Sequence, residues 1–225
     1  TAWSETAFWE TGLLTPDGWQ ADWITAELPR AADDEDPAHY VRASFRLAGK
    51  PVSARVYATA LGLYRLFVNG ADADDTRLAP GWTSYGKRLQ YQTYDVTPLL
   101  AEGENALGVM LGNGWYKGNI GWQHQRDVYG SERALLLQLH VTYADGTEEV
   151  VLSDGSGRWK ASDGAVRMSE LYHGETYDAR AERDGWSGPG FDDSSWLAVK
   201  TLAHKKDILV AQENESMRVV ERLQP

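Results

Sequence analysis

Three acidic side chains in the last third of the sequence are the set best suited to acid–base chemistry. They are Glu170, Glu175 and Asp178, with His173 among them. Hydrolysis of a sugar bond by general acid–base catalysis needs two carboxyl groups that flank the bond: one protonates the leaving oxygen and the other activates water. A self-contained glycosidase that uses Glu175 and Asp178 is therefore one hypothesis for this chain.

Other catalytic and metal-binding patterns are weak or missing in the sequence. Asp72, Asp74 and Asp75 follow the turn dipeptide Asn69-Gly70, but they lack the glycine and the terminal glutamate of an EF-hand loop. We expect a solvated acidic turn there. The five histidines show no zinc-binding spacing, cysteine is absent, and there is no Gly-x-Ser-x-Gly or phosphate-loop motif. We therefore predict no metal site.

Two glycine-rich aromatic loops are the best candidates for a binding surface. One loop is 80–85, and the other is 112–122, where closely spaced glycines alternate with Asn, Trp and Tyr. Glycine lets the backbone approach a ligand closely, and Trp or Tyr can stack on the apolar face of a sugar. The alternative, which we favour, is that these side chains complete the core or contact another domain. The candidate residues for sugar binding or for a domain interface are Trp82, Asn113, Trp115, Tyr116, Trp122 and Asp127.

Composition narrows the range of partners. The net charge of −11 over 225 residues disfavours nucleic acid, which needs a basic face. No apolar run approaches the roughly 20 residues that a membrane-spanning helix needs, so we expect no membrane partner. The absence of cysteine leaves the compartment open, with the cytoplasm placed slightly ahead of secretion.

The elements that must hold these loops are predicted to be strands. Segments 40–47, 52–60, 63–68, 87–94, 106–111, 134–143, 148–152 and 158–161 alternate or are apolar, and turn residues separate them. Strands at this spacing, without an amphipathic helix, indicate an all-β, antiparallel β-sandwich. The aromatic stretch 185–196 is predicted to plug an open end of this sandwich. We place the sandwich at 31–205, with the acidic run 31–37 as a solvated loop.

Several stretches together resemble the N-terminal β-sandwich of bacterial α-L-rhamnosidases. They are LGLYRLFVNG from Leu61, LAPGWTSY from Leu78, RLQYQTYDV from Arg88, LGNGWY from Leu111 and GETYDAR from Gly174. The match runs in order over nearly the whole chain. It implies a jelly roll of the galactose-binding-like type. It also implies that 1–30 is a lead-in from an absent fibronectin-like domain, and that 206–225 is an exit strand toward an absent next domain. The alternative for the first segment is a tail packed along this domain.

The resemblance also implies a function. These enzymes hydrolyse terminal α-L-rhamnose in an (α/α) barrel downstream, so this chain would be a non-catalytic accessory domain that is inactive alone. Its partners would be the catalytic domain of the same polypeptide and rhamnose-containing glycans. The alternative is an autonomous carbohydrate-binding module for such glycans. In this family reading Gly174–Arg180 is structural, with Arg180 paired to a carboxylate and Tyr177 buried.

The resemblance raises calcium as a cofactor, because related modules hold rhamnose through a calcium ion. Their ligands would precede the position of Tyr64, where this chain has Ala60, Leu61, Gly62 and Leu63. None of these side chains offers an oxygen, whereas Ca²⁺ takes 6–8 oxygen ligands. We therefore expect no cofactor and keep calcium as the less favoured alternative.

Overall fold

The computed structural model describes residues 3–4, 6–7, 9–28, 36–121, 123 and 125–224. The described strands are β1 (Ile24–Thr25), β2 (His39–Leu47), β3 (Ser53–Leu61), β4 (Leu63–Val68), β5 (Ala71–Asp72), β6 (Thr76–Arg77), β7 (Leu89–Asp95), β8 (Gly103–Gly112), β9 (Ala134–Thr142), β10 (Glu148–Leu152), β11 (Trp159–Ser162), β12 (Val166–Glu170), β13 (Gly174–Tyr177), β14 (Leu197–Ala198), β15 (Lys200–Thr201), β16 (Leu209–Ala211) and β17 (Met217–Arg218). One four-residue helix, α1 (Gly114–Lys117), and three 3-10 turns (Pro16–Gly18, Thr97–Leu99, Ala179–Ala181) complete the described elements. No described helix has the length and apolar character that crossing a membrane requires.

The strands form two main sheets, which confirms the predicted all-β sandwich. The first has the order β15-β1-β9-β3-β7-β16, with β10 also paired to β9. The second has the order β14-β11-β2-β8-β4-β5. Pairing is antiparallel except between β7 and β16, which run parallel. Two small two-stranded sheets, β12–β13 and β6–β17, lie beside them. The segment predicted as an exit strand thus contributes β16 and β17.

Alternation along the strands builds the core between the two sheets. In β2, Val41, Ala43 and Phe45 point inward, while Tyr40 and Arg42 point to the other face. The same period-two pattern in β3 and β9 supplies the opposite wall. Burial of these apolar side chains is the main stabilising contribution to the fold.

A second apolar cluster covers the outer face of the first sheet. Trp19 and Trp23 from the chain's beginning pack there on Leu136 of β9 and Tyr91 of β7. Gln138 of β9, which is fully buried, accepts the backbone N–H of Gln20 at 3.0 Å through Oε1 and donates through Nε2 to the Gly18 carbonyl at 2.9 Å. The stretch around residues 18–23 is therefore packed onto this sheet.

The stretch 185–196 covers the outer face of the second sheet, and not an open end of the sandwich as the sequence predicted. Trp186 packs against Tyr40 of β2, with ring centroids 5.0 Å apart. The backbone of Gly108 in β8 lies so close to this stretch that an added Cβ would be 2.5 Å from Cβ of Ser187. The prediction was wrong because sequence alternation marks which positions face outward but not which segment covers them.

Candidate functional site

The predicted loops meet at one end of the sandwich. Here β2 begins at His39, opposite Leu111 near the end of β8, and β4 begins opposite Gly112. In the other sheet β3 ends at Leu61, opposite Ala134 at the start of β9. Side chains that follow or precede these positions are brought together by strand register.

Trp82 and Trp115 form a stacked pair, which we call the tryptophan pair. Their ring centroids are 5.8 Å apart and their planes differ by 7°. Trp82 Nε1 donates a hydrogen bond to the Tyr129 hydroxyl at 3.2 Å. Trp82 is 53% exposed and Trp115 is half-buried, so the pair presents a flat apolar surface to solvent.

Tyr116 is part of the core. It is 6% exposed and packs edge-on against Tyr85, with ring centroids 5.5 Å apart. It lies on α1, a single turn in a stretch where the sequence predicted only a loop. Four residues are too few to show a helical period.

Asn113 is also buried, at 1% exposure. Its Nδ2 donates both hydrogens to carboxylates, to Asp36 Oδ2 at 2.9 Å and to Glu170 Oε1 at 3.0 Å. Its Oδ1 has no hydrogen-bond partner among the described residues. In this arrangement the amide nitrogen has no hydrogen left for a sugar hydroxyl.

Around Asn113 lies a charged cluster of Asp36, Lys117, Arg126, Arg133 and Glu170. Asp36 is 2.7 Å from Lys117 Nζ, 3.0 Å from Arg133 and 3.4 Å from Arg126. Glu170 is 3.1 Å from Arg126 and also accepts the backbone N–H of Asn119 at 2.9 Å. Burial acts to raise the pKa of Asp36, but the charge of Arg133 and the contacts with Lys117 and Asn113 lower it to about 2.

His39 completes the cluster as a neutral base. Its Nε2 lies 2.8 Å from Arg133 Nη2. Arginine can only donate, so Nε2 accepts and the ring proton resides on Nδ1. Burial, and next to it the charge of Arg133, lowers the pKa of His39 to about 3.

The remaining acidic residues singled out in the sequence lie apart from this cluster. Glu175 and Asp178 are on or just after the exposed strand β13, and Asp178 is held 2.8 Å from Arg180, as expected for that arginine. The hydrogen bond from Arg180 lowers the pKa of Asp178 to about 2. Tyr177 is 52% exposed, so its predicted burial was wrong; β13 pairs only with β12 and adds no side chain to the core.

The two remaining candidates for sugar binding or a domain interface are Asp127 and Trp122. Asp127 is exposed, with a φ of 56°, and its backbone N–H donates to the Lys117 carbonyl at 2.9 Å, at the end of α1. Trp122 lies outside the described residues.

Sequence reasoning missed most of the charged cluster. Asp36 was placed in a solvated acidic run, yet its side chain is only 20% exposed because Lys117 and Arg133 converge on it. These partners are far apart in sequence. The one available signal was that Asp36 lies three residues before β2 and Arg133 lies directly before β9, so that both are close to strand ends.

A calcium site before Tyr64 does not fit the residues present. Ala60 and Leu61 are in β3, at 0% and 1% exposure, and neither carries a side-chain oxygen. Among the described residues, no group of three or more His, Asp or Glu side chains comes together in a way that could hold a metal ion.

Comparisons with known proteins agree with this architecture. The family model described as "Alpha-L-rhamnosidase N-terminal domain" matches residues 49–221. This chain belongs to that family. An α-L-rhamnosidase of Streptomyces avermitilis is 44% identical over 224 residues, which is 96% of this chain and 21% of that protein. The crystal structure of an α-L-rhamnosidase from Aspergillus terreus superposes with a TM-score of 0.89 at 43% identity, over 94% of this chain and 25% of that one.

This α-L-rhamnosidase N-terminal domain is much shorter than the proteins that it matches. It spans about a fifth to a quarter of their length. A lectin from Pleurotus ostreatus shares the fold, with a TM-score of 0.51 at 20% identity. That likeness concerns the fold alone.

Proposed function

We propose that this chain is a non-catalytic accessory domain of an α-L-rhamnosidase that braces the catalytic domain of the same polypeptide. The relatives that it matches are named α-L-rhamnosidases and are four to five times as long. On this proposal the hydrolysis of terminal α-L-rhamnose is carried out elsewhere in the protein.

The proposal rests on the hydrogen bonds that Asp36 and Glu170 accept and on the lowered pKa of Asp36. Both accept from the same amide nitrogen of Asn113, so the two carboxyls lie near each other, as the two carboxyls of a glycosidase do. The side chain of Glu170 is 2% exposed, and its oxygens accept from Asn113, Arg126 and Asn119. Asp36, with a pKa of about 2, is ionised at neutral pH and cannot serve as the acid. The pair is suited to holding loops together.

The tryptophan pair supports a docking role. Trp and Tyr are enriched at the centres of protein interfaces, where their large faces are buried. Trp82 is 53% exposed, yet its stacking on Trp115 and its hydrogen bond to Tyr129 fix its position before any contact is made. A surface ordered in this way loses little conformational freedom on binding.

Activity of the purified chain on an aryl α-L-rhamnoside tests the non-catalytic role. We expect no turnover above buffer. Turnover that survives purification and is lost in Glu175→Gln would overturn the proposal in favour of a self-contained glycosidase.

Docking is tested by mixing the chain with an α-L-rhamnosidase relative from which this domain has been deleted. We expect the two to co-elute in size-exclusion chromatography, and Trp115→Ala to abolish co-elution. Trp9→Ala is the matched control, because Trp9 is 80% exposed and far from the pair in sequence. Equal co-elution of both variants would remove the tryptophan pair from the interface.

The exposed tryptophan pair also favours a second candidate, an autonomous module that binds rhamnose-containing glycans. A single sugar on an open surface has few atoms in contact, so binding would be weak, in the millimolar range. Calorimetric titration with L-rhamnose, with and without calcium, separates this candidate from docking. No heat at tens of millimolar sugar, together with unchanged polysaccharide retention by Trp115→Ala, would eliminate it.

A further inference from the structure

The segment 209–218, which we call the crossing segment, runs from the edge of one main sheet to the edge of the other. It begins as β16, which pairs with β7 as the last strand of the first sheet. It ends as β17, which pairs with β6, and three residues separate β6 from β5 at the edge of the second sheet. Between β16 and β17, residues 212–216 form no strand, so they lack a continuous ladder of backbone hydrogen bonds.

Two buried glutamines of β7 hold this middle part. Gln90 and Gln92 are 7% and 4% exposed. Gln90 accepts the backbone N–H of Glu213 through Oε1 at 3.1 Å. Gln92 donates through Nε2 to Oε1 of Gln212 at 3.1 Å. Side-chain amides of the first sheet thus take the place of strand pairing where the pairing stops.

Gln212 continues the hydrogen bonding within the crossing segment. Its Nε2 donates to the Asn214 carbonyl at 2.8 Å and to Ser216 Oγ at 3.1 Å. A carbonyl oxygen only accepts, so Nε2 of Gln212 must face Asn214 and its Oε1 must face Gln92. The side chain of Gln212 therefore has one orientation that satisfies all of its partners.

The same chain of hydrogen bonds reaches the core. Since Gln92 presents Nε2 to Gln212, its Oε1 points inward, where it accepts from the Tyr64 hydroxyl at 2.8 Å. The Tyr64 hydroxyl accepts in turn from the Tyr94 hydroxyl at 2.9 Å, and both tyrosines are 5% exposed. A buried polar group that loses its partner costs free energy, so the core favours keeping the crossing segment in place.

Backbone pairing fixes the far end of the crossing segment. Met217 pairs with Arg77, and Arg218 pairs with Thr76, in the ladder between β6 and β17. Arg218 also forms an ion pair with Asp75, but both side chains are at least half exposed, so this pair contributes little. The two ends are therefore held by strands and the middle by glutamines.

We propose that the crossing segment is a rigid coupling that sets the direction in which the chain leaves the sandwich, with the hydrogen bond between Gln92 and Gln212 keeping its middle in place. Flexible linkers are rich in glycine and serine, whereas 209–218 contains one serine and no glycine. The purpose of the coupling rests on the accessory role proposed above. A rigid coupling gives the catalytic domain of the same polypeptide few orientations relative to the sandwich, so less freedom is lost when the two dock.

The order of the crossing segment is measured on the purified chain by ¹⁵N relaxation NMR. We expect backbone order parameters of about 0.85 throughout 209–218, whereas a flexible linker gives values below about 0.6.

Spin labels measure the direction of the segment. The chain has no cysteine, so labels attach only where cysteine is introduced. Glu104→Cys on β8 and Val220→Cys after β17 suit this purpose, because their side chains are 70% and 97% exposed. Pulsed electron paramagnetic resonance on the doubly labelled chain should give one narrow distribution of distances.

Gln212→Ala tests the hydrogen bond from the side of the segment and leaves the core side chains unchanged. The Glu213 amide should exchange with solvent about tenfold faster in this variant, and the distance distribution should broaden. Gln90→Met removes the acceptor of the same amide from the side of β7 and should also speed its exchange. Glu215→Ala is the matched control, because Glu215 is exposed in the same segment, and it should change neither measurement.

Two results would overturn the proposal. One is a flexible segment in the natural chain, seen as order parameters below about 0.6 in 212–216 or as a broad distance distribution. The other is a Gln212→Ala variant that matches Glu215→Ala in both measurements, since strand pairing alone would then fix the segment. The co-elution experiment decides the accessory role separately, because it measures docking and not the order of 209–218.

Discussion

One amide nitrogen, Nδ2 of Asn113, lies between two carboxylates. Asp36 and Glu170 would repel each other, and Asn113 offers each of them one hydrogen while the three basic residues supply compensating charge. An amide is suited to this position because it donates twice and carries no charge of its own.

At this residue we predict that Asn113→Asp lowers the free energy of unfolding by about 2–4 kcal/mol. The change is isosteric, but it replaces the shared donor with a third buried carboxylate. Urea denaturation at neutral pH measures the effect. Part of the loss should be recovered at lower pH, where the introduced carboxyl is protonated.

Asn214→Asp is the matched control for this substitution. Asn214 is exposed near the end of the chain, so the same change there should alter stability by no more than about 0.5 kcal/mol. If the two variants are equally stable, the charged cluster does not depend on Asn113.

The lowered pKa of His39 predicts how the stability of the protein changes with pH. Its pKa is about 3 in the folded protein against 6.5 ordinarily, so between these values the unfolded chain binds one more proton than the folded chain. Stability contributed by the neutral ring is therefore complete above about pH 6.5 and is lost as the pH falls toward 3. Asp36, with its lowered pKa, acts in the same direction at still lower pH.

The measurement is urea denaturation of the natural chain and of His39→Gln at several pH values. The difference in unfolding free energy between them should shrink by about 1.4 kcal/mol per pH unit from about pH 6 to pH 4. Burial also lowers the pKa of His140 and His204, but both variants share these residues and the effect cancels. Parallel pH curves would show that His39 is protonated in the folded state.

At the scale of elements, Arg42 decides whether the loop 185–196 stays on its sheet. Its side chain is fully buried; Nε donates to the Trp186 carbonyl at 2.8 Å and Nη2 to the Gly188 carbonyl at 3.0 Å. The guanidinium also pairs with Asp193 and lies over the ring of Phe191. Arg42 thus contacts three residues of this loop, which contains no strand between 185 and 196 and so has no sheet pairing to hold it.

We predict that Arg42→Met destabilises the protein by about 3–5 kcal/mol, because it leaves Asp193 and two carbonyls without this donor. Arg46→Met is the control on the same face of β2: Arg46 is 73% exposed and its pair with Glu104 at 3.6 Å is a surface contact worth little. Urea denaturation followed by tryptophan fluorescence measures the stability of both variants. Equal effects of the two substitutions would mean that the loop holds itself in place.

The long strands could be predicted from sequence, and their coverings could not. Period-two alternation located β2, β3, β4, β7 and β9 to within a few residues. A strand that is buried on one face has an apolar residue at every second position, so the pattern is visible in the local sequence. The hairpin β12–β13 was missed because it pairs only with itself and lies beside the core, so its residues carry no alternation. Short edge strands such as β15 and β16 depend on contacts made across the chain.

At the scale of the whole molecule, the same limit explains the candidate site. Trp82 and Trp115 were found because aromatic residues in glycine-rich loops stand out by type. Asp36 and Arg133 were missed because they form an ion pair only where three strand ends converge. That convergence follows from the order of strands in the sheets, which the sequence does not show. Charge in a loop is ordinarily solvated, and nothing local to Asp36 indicates otherwise.

At the scale of the whole molecule, the position of the domain boundary depends on whether the segment before residue 30 is part of the sandwich. The resemblance implies that 1–30 leads in from another domain, and the alternative is a tail packed along this one. In the structure Trp23 packs against His204 and Trp19 against Tyr91, on the outer face of the first sheet. If the segment is integral, Trp23→Ala should cost about 3–5 kcal/mol, because a side chain that is 1% exposed leaves a cavity. Trp9→Ala, at 80% exposure in the same segment, should cost no more than about 0.5 kcal/mol. Urea denaturation with far- and near-ultraviolet circular dichroism should then show one coincident transition for both variants. A Trp23→Ala variant as stable as Trp9→Ala would place the boundary of the sandwich after the segment and restore the lead-in interpretation.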